Sequence, residues 1–278
     1  MDRRDFLKTS VAMAAVSSLR GRPLFAGQTG DRIPIALQLY SVRKQCAEDF
    51  SGTVAAVAEI GYQGVEFAGF HDYPAAEVRR MLDDNGLKCA GSHTALDLVL
   101  GDALEKTIAF NKTIENPYLI VPWLPEERRN SKAAWLKTAD LFNELAEKVR
   151  PHGMHIGYHN HGMEFQPMDG ETPWDLFARY TSEDVILQFD TGNAAAAGAD
   201  PLPYLKKYPG RSVTIHLKEH SDANQDALIG QGDLPFEKII DVCRTAGGTK
   251  WFIVEEEKQG LPPLKAVKIS HDNLMKLL

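Results

Sequence analysis

Beyond residue 30, short apolar runs alternate with longer stretches of helical periodicity, the pattern of repeated βα units around a parallel sheet. Eight runs read as strands: 33–42, 64–70, 87–95, 117–124, 155–161, 185–193, 213–220 and 251–257. Helices are predicted where start and stop signals bracket a periodic stretch: 49–60 ending at Gly61, 74–85 ending at Gly86, 131–152 ending at Gly153, and a last one from about 263 to the end. Roughly 250 residues carrying repeated βα units is the usual size of a (β/α)8 barrel. A doubly wound open sheet more often shows a glycine-rich phosphate loop after its first strand, and none follows Val42. No linker or composition shift divides the body, so the fold class is α/β, a single (β/α)8 TIM barrel over 27–278.

In such a barrel the outward face of each strand packs on helices, while inward residues near the carboxyl ends line the mouth. Alternation along the fifth run puts His155, Gly157, His159 and His161 on one face. It pairs Gln188 with Asp190 on the sixth, groups Thr214, His216 and Lys218 on the seventh, and groups Ile253, Glu255 and Glu257 on the eighth. Neighbouring strands lie about 4.8 Å apart, so side chains at matching heights converge. His159, Asp190, His216 and Glu255 are the natural quartet. A turn cap or a satisfied core histidine would explain any one of them; together they point to one centre. Imidazole nitrogens with carboxylate oxygens suit one divalent ion, Mn²⁺, Co²⁺, Zn²⁺, Fe²⁺ or Mg²⁺, better than Ca²⁺. Glu66 and His93 on the second and third runs, with His161 and Lys218, are the substrate-binding candidates. For the first two the alternative is an internal hydrogen bond or ion pair. Trp123, Trp251 and Phe70 could wall a sugar ring.

With 278 residues, 44% of them hydrophobic, the chain can bury a sizeable core without disulfides. Cys46, Cys89 and Cys243 lack any metal or disulfide spacing and read as packed thiols. The net charge is -7; removing residues 1–30 takes five basic and two acidic side chains from 31 and 38, leaving 26 and 36, or -10. No basic stripe appears, which points away from nucleic acid and toward a small ligand. The start, Asp2-Arg3-Arg4-Asp5-Phe6-Leu7-Lys8 before an apolar-and-small run, resembles a twin-arginine export signal, with Asp2 where Ser or Thr is usual. Residues 1–26 are therefore expected to be removed, leaving a periplasmic protein without a membrane segment.

Several stretches resemble the xylose isomerase-like barrel family: Gly64-Val65-Glu66, Ile156-Gly157-Tyr158-His159-Asn160-His161, Gln188-Phe189-Asp190-Thr191-Gly192-Asn193, Ile215-His216-Leu217-Lys218-Glu219, Gly230-Gln231-Gly232-Asp233-Leu234-Pro235-Phe236 and Ile253-Val254-Glu255. The resemblance implies one divalent cation held by residues of the last four strands, and thus metal roles for Asp190, His216 and Glu255. His159 stands where the family's epimerases carry a glutamate that is both ligand and acid/base. An imidazole cannot do both through one nitrogen. Glu255 and His159 are the expected catalytic pair, with His161 or Glu66 taking over proton transfer if His159 holds the metal, and Glu164 a weaker substitute. The His-x-His stretch also resembles inosose dehydratase-like members.

The resemblance implies a divalent-metal-dependent isomerase or epimerase of a sugar or keto-sugar, working by proton abstraction next to a carbonyl through a metal-stabilised enediolate. The alternative is a lyase or dehydratase of 3-keto-glycosides or inososes; a non-catalytic sugar-binding barrel is the reading from another class. Export and the lack of an arginine cluster rank sugar phosphates below free sugars.

Overall fold

The computed structural model describes residues 32–258 and 260–278. The export-signal expectation at 1–26 falls outside them. The strands are β1 (Ile35–Gln38), β2 (Gly64–Phe67), β3 (Lys88–His93), β4 (Tyr118–Val121), β5 (His155–His159), β6 (Ile186–Asp190), β7 (Thr214–Leu217) and β8 (Trp251–Val254). They close in sequence order into a parallel barrel, with β8 pairing back onto β1. No helix among the described residues is long and apolar enough to cross a membrane.

The predicted helices form with the caps their sequences supply. Phe50–Ile60 starts at Asp49, whose side chain accepts the Gly52 N–H, and Lys132–Val149 starts at Ser131, which accepts from Ala134. Ala75–Asp84 and Pro263–Leu277 take the other two expected places. The strands end earlier than the apolar runs suggested. β6 stops at Asp190 because that carboxylate caps a short helix, Thr191–Ala196, by accepting the Asn193 N–H at 2.7 Å. β1 gives way after Gln38 to a tight turn, Leu39–Val42, in which the Gln38 side chain accepts the Tyr40 N–H. His161, Lys218, Glu255 and Glu257 consequently stand just beyond strand ends, in the mouth rather than on the sheet.

Side-chain parity builds the barrel in layers. Leu37, Val65, Leu119, Ile156, Leu187, Ile215 and Phe252 point outward into the main core with the helices. Inside, Ala36, Ala90, Trp251 and Ile253 pack together, and Ile120, Ile186 and Val213 complete the apolar floor. Trp251 is thus a floor residue rather than a sugar wall. Gly64 makes room for it, since a Cβ there would fall 2.8 Å from the indole ring. Phe70 packs against the main core, its ring centre 4.3 Å from that of Phe110 and 5.0 Å from that of Phe67. Above the floor the interior turns polar.

One irregularity decides what faces in on β3. The register against β2 runs Val65↔Cys89, then Glu66↔Gly91, so one extra residue bulges at Ala90. The bulge resets the parity. Ala90 packs in the floor, Ser92 turns out to meet Asn111 and Asn116, and His93 points in again. Gly91, at φ 156°, has no room for a Cβ, which would lie 2.7 Å from Glu66 Oε1.

Candidate metal centre

The interior polar layer brings the quartet together. One donor atom each from His159, Asp190, His216 and Glu255 lies within 4.8 Å of the others, and all four residues are buried. Asp190 and His216 are register partners on β6 and β7, and His159 pairs with Gln188 on β5 and β6. Glu255 follows β8, and its Oε2 lies 2.7 Å from His216 Nδ1. Asp190 Oδ1 is spent on the helix cap. Its Oδ2 is buried without a hydrogen-bond partner and stands 3.7 Å from His216 Nδ1.

Buried polar atoms are normally satisfied, and an orphan carboxylate oxygen beside a second carboxylate is costly without a cation. The donor set therefore fits a divalent ion: neutral nitrogen and anionic oxygen, converging, with one oxygen awaiting a partner. Burial and the neighbouring His216 and His93 hold His159 well below the usual imidazole range, in the neutral form a metal ligand needs. Burial alone would push Glu255 up, but Lys218, His216 and His159 override it and keep the carboxylate ionised. Burial would also favour neutral His216, yet Glu66, Asp190 and Glu255 raise it well above the ordinary value.

The four substrate-binding candidates occupy different depths. Glu66 is fully enclosed beneath His216, and its carboxylate accepts from Gln38 Nε2 at 2.7 Å, Gln188 Nε2 at 2.7 Å and His216 Nε2 at 2.6 Å. The internal alternative describes it, and it does not reach the mouth. His93 is 11% exposed, its Nε2 2.9 Å from Gln188 Oε1 and 3.3 Å from Glu66 Oε2. Lys218 is largely buried and pairs with Glu257; Glu255, Asp190 and Glu257 outweigh its burial and hold the ammonium protonated.

His161 stands edge-on to His159 at 5.1 Å between ring centres, with its Nδ1 buried and without a hydrogen-bond partner. Trp123, about half exposed, covers it edge-on at 5.1 Å, and is the one proposed wall residue that reaches the mouth.

Asn160, Glu164 and Glu219 position the rest. Asn160 Oδ1 accepts the Asp190 N–H at 2.8 Å, tying the ends of β5 and β6. Buried Glu164, the weaker substitute for the glutamate missing at His159, accepts the Tyr158 hydroxyl at 2.6 Å and the His161 N–H at 2.8 Å, so its carboxylate is committed to bracing His161. Glu219 accepts N–H groups from His220, Gly230 and Leu234, which fixes the glycine-rich loop after β7.

A closed parallel barrel with a buried two-histidine, two-carboxylate cluster at the strand ends defines the class: a TIM barrel with a candidate metal site where such barrels carry their active sites. Residues 54–277 match the family described as xylose isomerase-like TIM barrel, and the chain belongs to that family. The rhizopine catabolism protein MocC of Rhizobium meliloti is 24% identical over 263 residues, 79% of this chain and 78% of that protein. Inosose dehydratase 2 of Bacillus cereus is 28% identical over 156 residues, 50% of this chain and 52% of that enzyme. A crystal structure of a sugar phosphate isomerase/epimerase from Parabacteroides distasonis superposes with a TM-score of 0.76 at 25% identity, covering 87% of this chain and 97% of that one. The fold is shared at 14% identity, with a TM-score of 0.68, by the IOLI protein, solved with a zinc atom; the match covers 88% of this chain and 97% of that one.

Proposed function

We propose that this barrel is a divalent-metal-dependent enzyme that removes a proton from carbon next to the carbonyl of a keto-sugar or cyclic keto-polyol. The observation that carries the reading is the convergence of His159, Asp190, His216 and Glu255, with Asp190 Oδ2 buried and unpartnered. These four would hold the ion, which when bound supplies positive charge to a carbonyl oxygen and its neighbouring hydroxyl. The IOLI protein, which shares the fold, is solved with zinc, in keeping with a metal ion in such a barrel.

The mouth supplies two unlike proton-handling groups. His161, with a buried unpartnered Nδ1 and its ring fixed by Trp123, His159 and the Glu164 brace, is placed to take or give a proton. Lys218, held as a cation, is placed to stabilise charge on a substrate oxygen or to protonate a departing one. Glu255, kept ionised by Lys218, His216 and His159, is a second candidate base. Trp123 gives a sugar ring an apolar edge. An imidazole base paired with a cationic acid fits β-elimination, in which one group removes a proton from carbon and the other attends the leaving hydroxyl or glycosidic oxygen. Elimination is accordingly our leading reading, and the inosose dehydratase relatives support it. Isomerisation or epimerisation is the second, favoured by the likeness to the sugar phosphate isomerase/epimerase.

Purified protein incubated with ketoses, inososes and 3-keto-glycosides in deuterated water separates the outcomes. Elimination gives an unsaturated product and loss of the leaving group; isomerisation gives solvent deuterium on carbon without that loss. Turnover of none of these with any divalent ion present would refute the enzymatic reading and leave the sugar-binding barrel. We further propose that residues 1–26 direct export. Retention in the cytoplasm of a reporter fused behind them would count against it.

A further inference from the structure

The two histidines of the quartet rest on a buried polar layer that treats them differently. Its centre is Glu66, fully enclosed, a carboxylate that accepts from Gln38 Nε2 at 2.7 Å, the Gln38 amide being oriented by its Oε1 accepting the Tyr40 N–H. Every group on it must therefore donate. His216 Nε2, 2.6 Å from Glu66 Oε2, carries a proton, and so does the Gln188 amide nitrogen at 2.7 Å from Oε1. The same nitrogen lies 2.9 Å from Thr214 Oγ1, and it is the acceptor-only Glu66 carboxylate that fixes which end of the Gln188 side chain is nitrogen.

The orientation of Gln188 then dictates the other histidine. Its Oε1 faces His159 Nδ1 at 3.1 Å and His93 Nε2 at 2.9 Å, and an amide oxygen only accepts. His159 must carry its proton on Nδ1, which leaves Nε2 as its lone pair. His216, protonated on Nε2, turns Nδ1 toward the Glu255 and Asp190 carboxylates, where a bound ion would take the place of the second proton that these two oxygens favour. We propose that Glu66 and Gln188 act as positioning residues that lock the two histidines in opposite tautomers, so that His159 binds the divalent ion through Nε2 and His216 through Nδ1.

The inference rests on the quartet being a metal centre, and it assigns a task to two buried side chains that touch neither the ion nor a substrate. It also separates ligand from proton carrier: with Nδ1 held by Gln188, His159 has one free nitrogen, and proton transfer falls to His161, Lys218 or Glu255. Hydrogen bonds of this kind orient metal-bound imidazoles, and their loss typically costs 10–100-fold in metal affinity or activity.

The test uses zinc-loaded full-length protein carrying ¹⁵N-labelled histidine, whose ring nitrogens are read by long-range proton–nitrogen correlation and assigned through His159→Gln and His216→Gln. The expected pattern is a metal-bound Nε2 with protonated Nδ1 for His159, and the reverse for His216. The same tautomer in both would overturn the proposal while leaving the metal centre standing, whereas no zinc uptake at all would overturn both. Glu66→Gln and Gln188→Met give an independent measure by zinc competition against a chromophoric chelator. Each is expected to weaken zinc 10–100-fold with the circular dichroism of the parent, and affinities within twofold of the parent in both would refute the positioning role. Should Glu66→Gln fail to fold, Gln188→Met and the parent spectrum still decide.

Discussion

Asp190→Asn is the sharpest single perturbation of the centre, because the two oxygens of that carboxylate have separate jobs. Oδ1 accepts the Asn193 N–H and caps the helix after β6, and an asparagine carbonyl does the same. Oδ2 has no partner, so exchanging it for an amide nitrogen removes a ligand while breaking no hydrogen bond of the protein. The apo variant should therefore match the apo parent within about 1 kcal/mol, the typical worth of the cap it retains. The parent, by contrast, gains about 2.7 kcal/mol from an ion present at 100 times its dissociation constant. For a chain of this size that corresponds to roughly 5–10 °C in midpoint. Thermal melts of chelator-stripped parent and variant, with and without Mn²⁺, Co²⁺ or Zn²⁺, read the effect directly. The parent should shift by that amount and Asp190→Asn by less than about 1 °C. An equal shift in both would place the ion elsewhere and refute the quartet; an apo variant that unfolds would refute the separation of roles.

Three further outcomes follow from other parts of the fold. Glu256 is buried against Ser270, with Oε1 unpartnered, and burial raises its carboxyl from 4.5 to about 7. Its contribution to stability is fully present below pH 4.5 and lost as pH rises through 7, to a ceiling of roughly 3 kcal/mol. Glu256→Gln should thus be no more stable than the parent at pH 4.5 but about 2–3 kcal/mol more stable at pH 8 by urea denaturation; a gap that does not change with pH would contradict it. Gly91→Ala forces a methyl into the space of the Glu66 carboxylate, costing about 1–3 kcal/mol of stability and weakening metal binding alongside; parent-like zinc affinity would show that Glu66 can move freely. His161→Asn should lower kcat about 10²–10⁴-fold while leaving zinc affinity intact, and unchanged kcat would remove His161 from proton transfer.

The quartet was legible in the sequence because parity survives wherever strands are regular. Asp190 and His216 sit on inward positions of β6 and β7, and counting by twos finds them without coordinates. What failed was depth and end-point. Glu66 looked like a mouth residue, yet it is fully buried with Gln38, Gln188 and His216 all hydrogen-bonded to its carboxylate, a convergence of three other strands that sequence spacing does not reveal. Gln38 itself gave no signal, since a lone glutamine near a strand end has many ordinary uses. The bulge at Ala90 was equally hidden: His93 faces inward through an extra residue that alternation does not anticipate. Strand ends were overrun at Asp190 because a capping carboxylate and an inward ligand look alike until the Asn193 N–H is seen bonding to it. Trp251 and Phe70 show the same limit, since aromatic residues fill barrel floors and helix interfaces as readily as they line a mouth.

The central claim is one divalent ion shared by side chains from four neighbouring strands and their ends. Anomalous diffraction from crystals grown with Zn²⁺ or Co²⁺ tests it most directly. The account predicts a single strong peak per chain within about 2.0–2.3 Å of His159 Nε2, Asp190 Oδ2, His216 Nδ1 and a Glu255 oxygen. A peak elsewhere, or none at saturating metal, would contradict it.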